Sequence, residues 1–226
     1  TRKATGYISY VRGENPYSFP FRIFPMNFDI TRSTKNSEFI YPTQLINGKR
    51  LTNKIEHIDI YLSDMGEYQE QLYNKIIEPM EITDEEDFET NDMDTFGYTK
   101  LTEPIEALNI TYPQIEDIET LDVKNSIGTK GLKNVFTFEE VNSGTPYITN
   151  FEYKSSIYEK YGRIFSESEI GKYSGKIKSV CDKIKTSSGV CLIYSQYIDA
   201  GVLPMALALE EMGFVRYGES KNLFND

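Results

Sequence analysis

The feature that most constrains the fold is an almost wholly apolar run near the end of the chain, residues 190–195. An uninterrupted apolar run of this length is typical of a strand that is buried on both faces in a parallel sheet. Ser174 is suited to cap a helix that extends to about residue 185, and a second helical pattern covers residues 201–212 and stops at Gly213. Helix, strand and helix in this order predict part of a doubly wound α/β fold.

A similar but weaker signal lies in the first third of the chain. Residues 54–62 alternate between polar and apolar side chains, which predicts a strand. Residues 66–78 then follow a helical period in which Leu72 and Ile76 share the apolar face. We expect this helix to end at Pro79, because proline removes a backbone donor and restricts the residue before it.

Charge is distributed unevenly along the 226 residues, whose net charge is -11. Residues 1–75 carry +2, residues 76–123 carry -14 and residues 124–226 carry +1. An acidic balance argues against a nucleic-acid partner, but here it applies to the middle of the chain only. The densest part, residues 81–94, has eight acidic residues and no basic one, which predicts a solvated loop or linker.

Composition excludes several classes of protein. No apolar run in the sequence is long enough to cross a bilayer, and no signal peptide precedes the first elements. The chain begins with Thr1, so we expect it to be a piece of a longer protein. Two cysteines are too few for a disulfide framework, and one histidine with two separated cysteines argues against zinc. Cys191 lies in the apolar run, and we expect it to be buried.

Motifs for catalysis are missing. The sequence contains no G-x-x-x-x-G-K-[ST] phosphate loop and no Asp-Glu pair after an apolar strand that could hold magnesium. The segment 128–133 is rich in glycine and lysine, but no buried strand precedes it, so we interpret it as a turn. No serine or cysteine has a histidine that it could plausibly recruit.

Three short segments match motifs of one family in the right order. They are Ile60-Tyr61-Leu62-Ser63 followed by Gln69, Tyr73 and Ile76; Ser174-Gly175-Lys176-Ile177; and Val190-Cys191-Leu192-Ile193-Tyr194-Ser195-Gln196-Tyr197. They resemble, in turn, the end of the first lobe, the opening of the second lobe and the motif IV strand of Swi/Snf-type translocases of helicase superfamily 2. The spacing from Ser63 to Gln69 is longer than is usual in that family.

Two further segments narrow the resemblance. Residues 6–13 and 198–204 are similar to segments of helicase-like ATPases of large nucleocytoplasmic DNA viruses, relatives of the poxvirus early transcription factor and nucleoside triphosphatase. The resemblance implies an α/β fold with an incomplete parallel sheet. It places the C-terminal part of a first RecA-like lobe at residues 1–79, an acidic insertion or linker at 80–150, and the start of a second RecA-like lobe at 151–226.

The resemblance also implies a function. The parent would be an ATP-dependent helicase or translocase, a hydrolase acting in viral transcription or replication, inside the host cytoplasm or the virion. Its partners would be nucleic acid, with DNA favoured over RNA, and proteins of the transcription machinery, without a membrane. ATP and Mg²⁺ are implied for the parent, whereas this segment carries no cofactor site and no catalytic residue, and is inactive alone.

Three residues are candidates for contact with nucleic acid. The family places Ser195 and Gln196 at the carboxyl end of the motif IV strand, where open α/β sheets bind ligands, and Lys176 at the opening of the second lobe. Neutral donors there would bind phosphate without reading sequence. The alternative is that Tyr194 and Tyr197 only pack, that Ser195 caps a turn, and that Lys176 caps its helix or faces solvent. The alternative function is a non-enzymatic module, a degenerate helicase region that docks transcription or capsid proteins through residues 80–150.

Overall fold

The computed structural model describes residues 23–44, 50–53, 55, 57–81, 93–117, 119–141, 147–218 and 221–224. The chain divides into two compact units. The first comprises Thr1–Thr43 with Thr52–Leu62, and the second comprises Gln44–Leu51 with Ser63–Asp226. Most of the acidic run, and with it the predicted solvated loop, lies outside the described residues, as does the segment 6–13.

The first unit is organised around a buried carboxylate. Helix α1 (Pro25–Phe28) is followed by a 3₁₀ turn at Ile30–Arg32. Asp59 accepts hydrogen bonds from the Met26 backbone N–H at 2.8 Å and from Ser33 Oγ at 2.7 Å. Burial alone would raise the pKa of the Asp59 carboxyl, but these hydrogen bonds outweigh burial and lower it.

This network explains why the strand predicted over residues 54–62 is wrong. Only an isolated antiparallel bridge between Ser33 and Tyr61 forms among the described residues of this segment. The side chain that faces inward in this segment is a polar one. Asp59 is buried, while Ile58 and Ile60 are exposed, because the carboxylate is held by donors from the segment 26–33.

The second unit contains helices and one hairpin. Its helices are α2 (Glu67–Glu81), α3 (Met93–Asn109), α4 (Gly128–Val135), α5 (Ser155–Tyr161), α6 (Ile170–Tyr173), α7 (Gly175–Thr186) and α8 (Leu203–Glu211), with a 3₁₀ turn at Val123–Asn125 and a π-helical turn at Ile198–Val202. Strands β1 (Phe136–Val141) and β2 (Tyr147–Tyr153) form an antiparallel sheet. The described residues are therefore a mixture of helix and strand, with a small antiparallel sheet.

The three helices predicted from periodicity and caps are confirmed. Helix α7 is capped as expected, since Ser174 Oγ accepts a hydrogen bond from the Ile177 N–H at 3.0 Å. Gly213 ends the last helix in a left-handed conformation, with φ of 93°. Helix α2 continues through Pro79 to Glu81, so the predicted end was wrong. The turn predicted at residues 128–133 is also wrong, because these residues begin α4.

A bulge interrupts the hairpin. Thr137 pairs with Glu152, whereas Glu139 pairs with Thr149, so β2 has one extra residue between the two pairs. Asn150 lies there with φ of 56°, a conformation that asparagine tolerates better than most residues. Its side-chain amide donates to Glu139 Oε2 at 2.7 Å, which fixes the bulge across the two strands.

The buried strand predicted over residues 190–195 is wrong. The segment has no assigned secondary structure, and no ladder joins it to a described strand. Val190, Leu192 and Tyr194 are 103%, 95% and 88% exposed, and Cys191 is exposed as well. Its apolar character therefore does not reflect burial among the described residues, which show no parallel sheet.

The core of the second unit forms where the hairpin meets the helices. Its largest fully buried apolar side chains are Tyr112, Phe136, Phe151, Phe165, Ile110, Leu132, Ile157, Ile164, Ile170 and Leu207. A second, smaller cluster contains Leu72, Ile76, Ala107, Leu121 and Ile127. The predicted apolar face of α2 is thus buried, and it packs beside α3.

One buried carboxamide links three helices. Gln69, on α2, is 1% exposed. Its Nε2 donates to the Ala107 carbonyl of α3 at 2.8 Å, and its Oε1 accepts from the Gly175 N–H of α7 at 3.1 Å. Gly175 itself fits only without a side chain, since a Cβ there would lie 1.7 Å from the Asp64 carbonyl oxygen. Gln69 therefore fixes the start of α7 against α2 and α3.

We predict that Gln69→Leu destabilises the chain by about 2–4 kcal/mol, because it leaves a buried N–H and a buried carbonyl without partners. Thermal unfolding followed by circular dichroism would show a Tm that is lower by at least roughly 5 °C. Gln71→Leu, on the exposed side of the same helix, is the matched control and should change the Tm by little. Equal effects of the two substitutions would contradict the linking role of Gln69.

Candidate nucleic-acid interface

The N-terminus of α7 positions the first predicted site residue. Ser174 Oγ, besides capping α7, donates to the Asn109 carbonyl at 2.5 Å, which fastens this terminus to the end of α3. Lys176 lies in the first turn of α7, and its Nζ donates to Asn109 Oδ1 at 2.6 Å. Partial burial of the ammonium group lowers the pKa of Lys176. The Lys176 ammonium is thus bonded to a neutral amide, and Lys176 is exposed on the surface.

Ser195 forms a small turn of its own. Its Oγ accepts from the Tyr197 N–H at 3.2 Å and donates to the Tyr197 carbonyl at 3.1 Å. A Cβ on Gly201 would lie 2.0 Å from Ser195 Oγ, so glycine is required beside this turn. Since its proton is already used within the turn, Ser195 could accept a hydrogen bond from a ligand more readily than donate one. Gln196 is exposed and is the freer donor of the two.

The segment after Ser195 is held by hydrogen bonds from α4 and from the loop that precedes α4. Tyr112, which is fully buried, donates through its hydroxyl to the Asp199 carbonyl at 2.6 Å. Thr129 Oγ1 donates to the Asp199 carboxylate. The backbone of Val202 donates to the Tyr197 carbonyl at 3.0 Å, which closes the π-helical turn. The position of Gln196 therefore depends on Tyr112 and Asp199.

The predicted site residues share an anchor but not a contact. Lys176 is bonded to Asn109, and Asp199 to Tyr112, so both attach to the stretch 109–112, which begins with the last residue of α3. Among the described residues, no hydrogen bond or ion pair joins Lys176 to Ser195 or Gln196. Together they could present one cation and an exposed amide, which is suited to phosphate rather than to a base edge.

Sequence reasoning missed the residues that hold this region. Tyr112 lies between Thr111 and Pro113, and these neighbours give no sign of a long-range hydrogen bond. Thr129 belongs to the glycine- and lysine-rich segment that was interpreted as a turn. Asp199 was noted only within the segment 198–204. Its partnership with Thr129 spans 70 residues, and no local period can reveal such a contact.

The α4 side of this region is acidic. Burial raises the pKa of the Glu106 carboxyl, and the nearby Asp199 and Glu103 raise it further. Glu106 Oε2 lies 2.6 Å from where a Cβ of Gly128 would be, so its carboxylate lies near the N-terminus of α4. The helix dipole favours a negative charge there, while the Asp199 carboxylate opposes one. A polyanion would be repelled from this side.

The α7 side has the opposite charge. This helix has four lysines against one aspartate, a net charge of +3 in a chain whose total is -11. Lys178 pairs with Asp182 at 2.5 Å, and Lys185 pairs with Glu167 of the preceding loop. These pairs are exposed enough to be screened by salt and to rearrange when a phosphate approaches. Helix α7 is therefore the element at which a polyanion could bind.

Two negative findings apply to the described residues alone. No group of three or more His, Cys, Asp or Glu side chains there is arranged to hold a metal ion. No helix in the described part of the chain is long and apolar enough to cross a membrane.

We predict that Glu106→Gln raises the Tm at pH 7–8 by roughly 1–3 °C. A carboxyl whose pKa is raised on folding contributes stability below its unfolded pKa and loses it as pH rises through the folded pKa, so the charged form is the unfavourable one. The variant should therefore lose little at pH 4 and gain most above neutrality. Glu119→Gln, at an exposed position, is the control. A lower Tm at pH 7.5 would show instead that attraction to the α4 dipole outweighs the repulsion.

Comparison with known proteins identified no relative of the chain. No protein-family model, no curated protein and no solved structure matches the chain. The assignment of a function therefore depends on the residues themselves, on the resemblance of their motifs and on the geometry of the α7 region.

Proposed function

We propose that the chain is the central segment of a nucleic-acid-dependent ATPase, a helicase or translocase of the superfamily 2 type that acts in viral transcription or replication. In this proposal the segment contributes to gripping the nucleic-acid backbone, and the ATP-hydrolysing motifs lie elsewhere in the parent. The parent would require ATP and Mg²⁺. Cellular location follows the parent: host cytoplasm or virion.

The observation that carries the proposal is the charge and capping of α7. The Ser-x-Lys segment, residues 174–176, opens a helix of net charge +3 in an acidic chain, and Ser174 caps that helix. An apolar segment follows and ends at Ser195 and Gln196, in the order that the family resemblance implies. A helix that concentrates lysines in an acidic protein is a feature that favours contact with a polyanion.

Binding would use groups of two kinds. Lys176 would supply a charge to one phosphate, exchanging its bond to Asn109 for a charge-assisted one. Gln196 would donate from its exposed amide, and Ser195 would join only if its turn with Tyr197 opened. Contacts of this sort fix the backbone and do not discriminate between sequences.

The first prediction concerns ATP. Phosphoryl transfer by this class of enzyme needs a phosphate loop, magnesium carboxylates and an arginine together, and the sequence has no phosphate loop. The purified chain should therefore release no phosphate from ATP above the buffer rate, with or without DNA. DNA-stimulated hydrolysis that co-elutes with the chain on size exclusion would overturn the proposed place of the segment in the parent.

The second prediction concerns nucleic acid. Binding of the chain to a fluorescein-labelled 30-nucleotide DNA should be measurable by anisotropy at low salt and fall as salt rises. Ser195→Ala with Gln196→Ala should weaken it several-fold to tens-fold, since each neutral hydrogen bond contributes about 0.5–1.5 kcal/mol. The loss should be equal across DNA sequences, and the salt slope should stay the same.

Lys176→Gln separates charge from hydrogen bonding. It should reduce the slope of log affinity against log salt by about 0.7–0.9, because one fewer counterion is released. Lys160→Gln is the matched control. It removes a lysine of α5 that donates to the Ile115 carbonyl, and it should leave the slope unchanged. Equal slopes for all variants, or no DNA binding by the unmodified chain, would favour the interaction module over the translocase.

A further inference from the structure

The end of α7 leads directly into an accessible stretch of chain. Residues 185–194 are all exposed, and residues 187–194 have neither helix nor strand. Ser188 lies two residues beyond the end of the helix. A Cβ added at the neighbouring Gly189 would meet no atom within 4 Å, so the space beside Ser188 is open. An enzyme could therefore reach the Ser188 side chain without unfolding any described element.

Three hydroxyl side chains follow one another here, and two of them are engaged. Thr186 Oγ1 donates to the carbonyls of Asp182 and Lys183, at 3.3 and 3.0 Å, within the last turn of α7. Ser187 Oγ accepts from the Gly189 N–H at 3.4 Å. Ser188 Oγ has no hydrogen-bond partner among the described residues. Of the three, Ser188 is the hydroxyl that can enter another protein's active site without breaking a hydrogen bond.

Basic residues precede Ser188 and no charged residue closely follows it. Lys185 lies three residues before Ser188 and Lys183 five before it, and both are exposed. Residues 186–198 contain no charged side chain. Protein kinases select their substrates largely through the pattern of charge around the acceptor. The pattern at Ser188 complements a kinase whose substrate groove is acidic, and it offers nothing to a kinase that selects acidic substrates.

We propose that Ser188 is a phosphorylation site for a serine/threonine kinase that selects basic substrates. Ser188 Oγ attacks the γ-phosphorus of ATP, and a bond from Oγ to phosphorus forms as the bond from phosphorus to the bridging oxygen of ADP breaks. ADP leaves, and the hydroxyl proton passes to a carboxylate of the kinase. The kinase supplies the catalytic groups, ATP and Mg²⁺, and this chain supplies an accessible hydroxyl with lysines before it.

A phosphate on Ser188 would offset much of the charge of α7. The helix carries a net charge of +3, and a phosphoserine adds about -1.5 to -2 near pH 7. The new charge would lie just beyond the helix C-terminus, close in sequence to Lys183 and Lys185. This consequence rests on the proposed function: a phosphate at this place would oppose the approach of a nucleic-acid backbone to α7. The assignment of Ser188 as an acceptor does not depend on it.

Phosphorylation in vitro tests the site directly. The purified chain is incubated with ATP, Mg²⁺ and the catalytic fragment of protein kinase C, a kinase that selects basic substrates, and the modified residue is located by mass spectrometry. We expect Ser188 to be the main acceptor, so Ser188→Ala should lower phosphate incorporation about tenfold or more. Ser168→Ala is the matched control, because Ser168 is exposed but lies between Glu167 and Glu169. Absence of phosphate on Ser188, or equal incorporation into S188A, would overturn the proposal.

The role of the two lysines is tested while the acceptor is kept. Lys183→Gln with Lys185→Gln should lower kcat/KM for phosphorylation of Ser188 about tenfold or more, because the kinase selects its substrate through these charges. Circular dichroism should confirm that this variant and S188A remain folded. An unchanged kcat/KM would show that the lysines do not direct the kinase to Ser188, and this too would overturn the proposal.

The effect on DNA is measured separately, by anisotropy before and after phosphorylation. The phosphorylated chain should bind several-fold more weakly at low salt, and the difference should shrink as salt screens the added charge. S188A treated with kinase in the same way is the control and should bind as before. Phosphate on Ser188 without a change in affinity would contradict the effect on α7 and not the site. Failure of the unmodified chain to bind DNA would contradict the proposed function alone.

Discussion

The second unit depends on one buried carboxamide. Gln69 satisfies a carbonyl at the end of α3 and the first N–H of α7 with the two ends of one side chain. An apolar residue of similar size could fill the space but would leave both backbone groups unpaired in the core, at a cost that packing does not recover. Glycine at position 175 lets the helix approach closely enough for this bond to form. The relative placement of α2, α3 and α7 follows from that contact.

The candidate interface depends on this placement. Asn109 is the last residue of α3. Its carbonyl accepts a hydrogen bond from the Ser174 hydroxyl that caps α7, and its Oδ1 accepts one from the Lys176 ammonium. Three residues later, Tyr112 reaches the turn that follows Gln196. A short stretch after α3 therefore determines where both groups of site residues lie. A change in the core near Gln69 would be expected to move them together.

Electrostatics separates the two sides of this region. The α4 side holds Glu106 near the Asp199 carboxylate, and burial and this neighbour together make the charge of Glu106 costly. The α7 side has lysines whose partners are exposed acids or a neutral amide. The strongly acidic total charge of the chain hides this local contrast, because all of the negative excess lies in residues 76–123. Charge on one helix is a better guide to a polyanion partner here than the isoelectric point.

The sequence by itself determined the helices whose period and caps are local: α2, α7 with Ser174, and the helix that stops at Gly213. It also identified Lys176, Ser195 and Gln196 as candidates, through a resemblance. Only the tertiary structure decided which apolar segments are buried. Period and composition describe what a segment could bury, whereas burial requires a neighbour. Val190, Leu192 and Tyr194 have almost no cover among the described residues, and Asp59 is buried because distant donors hydrogen-bond to its carboxylate. The contacts of Gln69, Tyr112 and Asp199 span 38 to 106 residues, so they depend on the folded arrangement and not on local pattern.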